Sequence, residues 1–434
     1  MTAFRTQILR ARESFWFLPA LLGIAALVLA QSLIYLDRFI DDKQLGGWGF
    51  LLYRVGASGS RDILGAIGGS MLAVAATSFS ITIAVLATAS STYGPRLVRN
   101  FMSDRGNQFV LGIFGATFLY SLMVLRSIRS ESGDGVSFVP DIAVNVAVLL
   151  AVIDVAVLVY FIHHIADSIQ VSTLSARVRG ELVAVIDAMY PKDSPDAATE
   201  ARALPGTAVD VDSEASGFVV RIDEQALVVA ACKADSVVEL RVRAGSHVIE
   251  GECIAAVSGN TGDEIAKEIR GAVVLGNTRT PTQDIEFAVQ QLTEMAVRAM
   301  SPSTNDPYTA RNALAELAVG LVPLSTRPRP LLGRNDGDGN YRLTISRASV
   351  SELIDQVFDA IRQYGLGNPL AVIAAVELGE RIGMATVHQE VRGAVVKQLA
   401  ALRNAYGSAE VDSVDADKCR LRIDAATSAI TAKA

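Results

Sequence analysis

Apolar residues are spread unevenly along the chain. Up to about residue 165 they form long unbroken runs, and beyond it they recur at short periods mixed with charge. Four runs come close to the roughly 20 apolar residues that cross a hydrocarbon core of about 30 Å. They cover 15–36, 64–89, 109–125 and 142–162. The third is the shortest and spans with modest adjustment. Val28-Leu29-Ala30 has the small-residue pattern of a signal-peptidase site, yet the apolar run continues to Leu36, so a retained anchor is expected. Basic residues set the orientation. Arg5, Arg10 and Arg12 precede the first span, and Arg96, Arg99 and Arg105 follow the second. The other two connections carry acids that offset their basic residues, among them Asp37, Asp41, Asp42, Glu131 and Asp134. This pattern predicts an N-terminus and a large C-terminal part on the cytoplasmic side, with membrane lipid around residues 1–164.

After the fourth span the period changes. Residues 165–190 read as a helix continuing out of the membrane, closed by Tyr190-Pro191 and a polar linker, PKDSPDAATE, within a 165–200 connecting segment. The stretch 216–259 then shows β-type alternation at Val238, Leu240 and Val242, with turn glycines at Gly217, Gly245 and Gly251. Its spacing of G-x-V and RAG-x-x-V-x-x-G resembles the barrel-sandwich hybrid of biotinyl and lipoyl carrier domains, which implies a small β module over 201–281. The surroundings of Lys233 do not reproduce that family's modified hairpin, so no swinging-arm chemistry is expected. From 282 to 434 the chain reads as mostly helical. Ile285, Ala288, Val289, Leu292 and Ala296 share one helical face. A Pro/Arg/Gly-rich break at 323–340, a short strand YRLTIS and helices near 350–364, 369–383, 385–405 and 411–431 complete it. The expected fold class is a four-helix transmembrane domain joined to a cytosolic α+β domain.

Composition agrees with a polytopic membrane protein: 50% of the 434 residues are hydrophobic, and the mean hydropathy is +0.34. A net charge of −7 excludes the basic footprint that nucleic acid requires. Cys232, Cys253 and Cys419 are scattered and form no CxxC, which suggests reduced thiols rather than disulfides or a zinc site. No P-loop, G-x-S-x-G, H-E-x-x-H or dinucleotide fingerprint is present, so the chain reads as no enzyme, with no cofactor.

One polar string interrupts the helical region: MSPSTNDPYTA, 300–310. Pro302 and Pro307 oppose helix continuation, while Asp306 with Pro307 behind it forms a helix start. The structural reading is a capped helix–turn–helix. The functional reading is an anion or partner site at that helix start, made by Asn305 and Asp306 with Arg298 and Arg311. The run RTPTQDIEFAVQQL followed by SPSTNDPYTA, together with SFSITIAVL (78–86) and STYGPRLVRNF (91–101), resembles the bacterial predicted-membrane-protein family of the domain of unknown function 2254. The resemblance covers essentially the whole chain. It implies a multi-pass inner-membrane protein with a cytosolic C-terminal domain, and no mechanism.

Within the membrane runs, hydroxyls crowd the second span. Ser70, Thr77, Ala84 and Ser91 recur every seven residues, with Ser80 and Thr88 nearby. Such an edge packs helices closely, or lines an aqueous path between subunits. Asp154 lies deep in the fourth span, where an ionisable group is costly unless paired, hydrated or protonated. By depth, Ser78, Ser80 and Thr82 are its expected hydrogen-bond partners, with Asn145 out of phase and Arg126 too far towards the outer end. His163 and Asp167 share a helix face but lack a third ligand, a weak metal signal. The leading expectation is a homo-oligomeric ion channel or conduit lined by the second span, with a cytosolic regulatory domain. The alternative is a non-conducting scaffold or sensor that binds a partner or ligand through its soluble part.

Overall fold

The computed structural model describes residues 16–39, 55–93, 104–129, 138–168, 170–193, 198–204, 206–407 and 412–433. The chain divides into two compact units that meet between Gln170 and Val171.

The first unit is built from helices α1 (Phe17–Phe39), α2 (Ala57–Tyr93), α3 (Arg105–Ser127) and α4 (Asp141–Ser168). All four are long and apolar enough to cross a membrane. Each extends a few residues past the apolar run that announced it. A helix bonds its own backbone internally, which is what a segment surrounded by lipid requires. The central element is α3: Val110, Phe114, Tyr120 and Val124 on it are fully buried. It packs against the other three helices. A Cβ on Gly112 would lie 2.7 Å from Leu22 Cδ1 and 3.0 Å from Pro19 Cα, so only glycine lets α1 and α3 approach this closely. Helix starts are capped from elsewhere in the unit. Asp37 of α1 accepts hydrogen bonds from the amides of Ile142 and Ala143, both at 3.1 Å, at the start of α4. Asp104 caps α3 by accepting from the Gly106 amide at 2.7 Å.

The second unit begins with α5 (Val171–Met189). A β-rich part follows. The six-stranded sheet runs β1-β8-β9-β4-β6-β2 and the three-stranded sheet β5-β3-β7. The strands are β1 (Ala198–Thr199), β2 (Ala208–Asp212), β3 (Gly217–Ile222), β4 (Val237–Leu240), β5 (His247–Val248), β6 (Cys253–Ser258), β7 (Val273–Gly276), β8 (Gly333–Asn335) and β9 (Tyr341–Thr344). Among the described residues only β4 and β9 pair in parallel. Residues of both sheets share one core, including Val219, Val238, Val248, Ile254 and Val273. Two helices, α6 (Glu224–Lys233) and α7 (Asp263–Ala272), add Leu227 and Ile269 to it. Among the described residues no barrel is closed, so the barrel-sandwich detail is not reproduced.

α6 corrects the all-β expectation for 216–259. Val228 and Val229 favour strand locally, but Asp223 caps the Ala226 amide at 3.0 Å. Leu227, Ala230 and Ala231 then fall on one buried helical face. Burial of that face decides the conformation.

The rest of the unit is helical: α8 (Ile285–Ala299), α9 (Pro307–Thr326), α10 (Val350–Tyr364), α11 (Pro369–Ala385), α12 (Gln389–Gly407) and α13 (Ser413–Ala432). The last four lie within a few residues of their expected places. The break expected from 323 starts later, because Pro323 is accommodated inside α9. α5 packs on α8 and α9, and a Cβ on Gly320 would come within 2.5 Å of Leu182 Cδ2.

The RTPTQD run joins the β-rich and helical parts. Arg279 grips Asp284 with two parallel hydrogen bonds, Nε to Oδ2 at 2.7 Å and Nη2 to Oδ1 at 2.8 Å. Asp284 is buried and also caps α8 through the Phe287 amide at 2.9 Å. Gln283 brackets the Ile222 backbone, accepting from its amide at 2.8 Å and donating to its carbonyl at 3.1 Å. Gly245, at φ +91°, sits so close that a Cβ there would lie 2.2 Å from Asp284 Oδ2. Removing one member of a buried pair strands the other charge, at a cost of about 3–5 kcal/mol. Asp284→Ala is therefore expected to lower the denaturation midpoint of the purified chain strongly, and Gly245→Ala to do so by displacing the same carboxylate. A midpoint within error of wild type for both would contradict this role.

Candidate functional site

The strongest candidate in the first unit is Asp154, on α4. Its residue exposure is 1%. Thr117 of α3, also buried, is its polar neighbour. Neither carboxylate oxygen meets a hydrogen-bond partner among the described residues. Two apolar clusters fill the unit. One gathers Ala30, Tyr120, Val124 and Ala147, the other Met71, Val110, Phe114 and Phe161. Along α3 Thr117 falls between Phe114 and Tyr120, and along α4 Asp154 falls between Ala147 and Phe161. The acid thus occupies the level where the apolar packing divides. Asn107 and Ser121 of α3 are buried too, and their side-chain polar atoms have no protein partner among the described residues. From Asn107 to Ser121 the helix rises roughly 21 Å, at about 1.5 Å per residue. Polar groups therefore recur along the buried helix, with Asp154 facing their middle.

The hydroxyls expected to hold Asp154 do not. Thr82 is buried and donates to the Ser78 carbonyl at 2.9 Å. Ser80 is exposed and donates to Ala76 at 2.9 Å. Depth was matched, but the side of α4 that carries Asp154 meets Thr117 instead. Asn145 serves its own helix, donating to the Asp141 carbonyl at 2.8 Å. Thr117 carried no sequence signal beyond being a hydroxyl within an apolar run.

The repeated hydroxyl edge of α2 points out of its own bundle. Ser70, Thr77, Ser80 and Thr88 are exposed. Ser70 bonds the Ile67 carbonyl, Thr77 that of Ala73 and Thr88 that of Ala84, each at 3.0 Å. The side chain of Ser91 lies outside the described residues, as do Arg96 and Arg99. The buried stripe of α2 is a different one, with Ser60, Leu64, Met71, Ser78 and Thr82.

His163 and Asp167 do meet, at 3.2 Å, but as an exposed pair. His164 instead reaches Asp104 at 3.2 Å and stacks on Tyr160. Among the described residues no three His, Cys, Asp or Glu side chains gather as metal ligands.

The SPSTNDP string forms a turn between α8 and α9. Asn305 takes a left-handed φ of +44°, a conformation asparagine tolerates better than most residues. Asp306 accepts from the Thr309 amide at 3.1 Å and from its hydroxyl at 2.5 Å. The free amides proposed for an outside anion thus already face a carboxylate of the chain itself. Arg311 leans towards Glu377 at 3.6 Å, and Arg298 ends α8, where a cation suits the helix dipole. The candidate anion site is a cap.

Hydrogen bonds from Thr309 hold the Asp306 carboxyl below its usual range. The folded chain therefore takes up that proton less readily than the unfolded one. The stabilisation is complete above the ordinary aspartate pKa of about 3.9 and is lost as pH falls through the lower folded value. Asp306→Ala should cost about 1 kcal/mol at neutral pH. That difference should shrink in acid, as read by denaturant unfolding at both pH values.

Comparison with known proteins agrees with this architecture. The family model described as "Predicted membrane protein (DUF2254)" matches residues 12–380. Uncharacterized proteins of Mycobacterium bovis and of Mycobacterium tuberculosis H37Rv are each 30% identical over 373 residues, covering 84% of this chain and 71% of theirs. No solved structure matches. With four apolar helices and a match over most of its length, the chain belongs to the DUF2254 family of predicted membrane proteins.

Proposed function

We propose that this protein is a homo-oligomeric ion conduit of the bacterial inner membrane, with Asp154 as its ion-binding group and its termini in the cytoplasm. The observation that carries the reading is the isolation of Asp154. A carboxyl group buried among membrane helices, with the Thr117 hydroxyl as its polar neighbour and no cationic partner among the described residues, is costly to retain. A mobile cation, whether a proton or a metal ion, supplies the charge balance that no described side chain offers. The buried polar groups of Asn107, Thr117 and Ser121 extend a polar route to either side of it.

The outward face of α2 is the proposed contact between copies. Besides its hydroxyls it exposes Gly65, Gly69, Ala73 and Ala84. A Cβ on Gly65 or Gly69 would meet nothing within 4 Å in the chain. Gly65, Gly69 and Ala73 recur every four residues, a spacing of small residues that lets a second helix come close. In this reading the ion site lies inside each four-helix unit, supported by the burial of Asp154 and the exposure of the α2 hydroxyls, which join subunits.

In liposomes holding the purified protein, wild type should pass protons or monovalent cations above the level of empty liposomes. Asp154→Asn, nearly the same size without the charge, should form an intact oligomer with several-fold lower flux. Gly69→Leu should reduce assembly, read by the size of the detergent-solubilised complex. A wild type that stays silent under varied voltage, pH and tension would sink the conduit reading in favour of a non-conducting scaffold or sensor.

A further inference from the structure

A cleft of about 460 Å³ opens in the second unit, between the end of α5, the end of β3 with the start of α6, and the loop before β8. Four arginines line it, Arg221, Arg329, Arg334 and Arg347, against two acids, Asp223 and Glu224. The chain as a whole is acidic, so a lining richer in arginines than in acids runs against the composition.

The arginines are not equivalent. Arg334 is saturated. Its Nε donates to Glu224 at 2.9 Å, and its Nη1 donates to the carbonyls of Leu331 at 2.7 Å and Gly333 at 2.8 Å. Arg347 is held to the other oxygen of Glu224 at 2.8 Å. Its side chain is 10% exposed, yet its buried Nε has no partner among the described residues. Arg221 is exposed at the rim, and Arg329 meets Glu390 in an exposed pair at 2.7 Å. Glu224 therefore clamps two guanidinium groups side by side at the wall of the cleft, while Arg221, exposed at the rim, leaves its guanidinium open to a ligand. Apolar surface from Met189, Pro328 and Leu331 faces the same space.

We infer that this cleft binds a small organic phosphate, whose phosphoryl group lies against Arg347 and Arg221 and whose body rests on the apolar wall. A phosphate monoester carries a charge of about −1.5 to −2 at neutral pH, opposite in sign to the net charge of the cleft lining. Guanidinium groups suit its oxygens by paired hydrogen bonds. The volume lies within the roughly 300–1,000 Å³ of small-molecule sites and exceeds what a bare phosphate fills. This site is independent of Asp154 and of the conduit reading.

The test is calorimetric titration of the full-length protein in detergent with four probes: AMP, adenosine, inorganic phosphate and dioctanoyl phosphatidic acid below its micellar concentration. AMP should bind, adenosine should not, and inorganic phosphate should bind more weakly than AMP. Tighter binding of the phosphatidic acid than of AMP would support the phosphate site and assign its source to a lipid headgroup. Arg347→Gln should weaken the bound probe about tenfold or more, the loss expected for a hydrogen bond to a charged group. Because Arg347 also braces Glu224, Arg221→Gln provides the second variant, at an exposed side chain whose loss leaves the fold intact, and it should weaken binding as well. Absence of binding by every phosphate probe, equal binding of adenosine and AMP, or an unchanged affinity in Arg221→Gln would overturn the inference.

Discussion

Lipid offers no hydrogen bonds, and that constraint governs the first unit. Every polar group placed there must find its partner inside the protein. Most of them do so locally. The hydroxyls of α2 bond the carbonyls one turn back. The amides that start α4 are met by Asp37 from α1, and Tyr120 on the buried α3 donates to the Ala143 carbonyl at 2.9 Å. Against that settlement a few buried groups stand out, Asn107 and Ser121 of α3 and above all Asp154, the ionisable one among them and so the costliest to keep in a membrane helix.

The second unit solves a different problem, the joining of a β-rich part to a helical one. Arg279, Gln283 and Asp284 do this within six residues. The guanidinium fixes the carboxylate, the carboxylate caps α8, and the glutamine amide continues the hydrogen bonding of Ile222 at the end of β3. Gly245 is glycine because that carboxylate occupies the space a side chain would take. The family-specific string around these residues is thus accounted for as architecture, and the same holds for Asp306 in the SPSTNDP turn. Arginines elsewhere in the unit are consumed in the same way, Arg334 most completely. Arg221, exposed, and Arg347, braced by Glu224, line one cleft with it.

Much was legible in the chain because it depends on neighbours in sequence. Apolar runs of membrane length, the Asp306-Pro307 helix start, the strand before α10 and the four C-terminal helices all follow from local patterning and capping. What misled was local preference overridden by burial. Val228 and Val229 suggested strand, but the face with Leu227 and Ala231 packs into the two-sheet core as helix. Pro323 suggested a stop, but the end of α9 accepts it.

By itself, then, the sequence determined the class of the protein, its four apolar spans and most of its helix boundaries, since hydrophobic length and capping act over a few turns. Tertiary structure alone decided which side of each membrane-length helix is buried. Rotation about a helix axis cannot be read from depth, so Asp154 meets Thr117 and not the α2 hydroxyls, and the α2 edge faces outward. It alone brought Arg221, Arg334 and Arg347 to one cleft with Glu224. These residues are separated by up to 126 positions, and only the packing of β-rich and helical parts into one unit makes them neighbours.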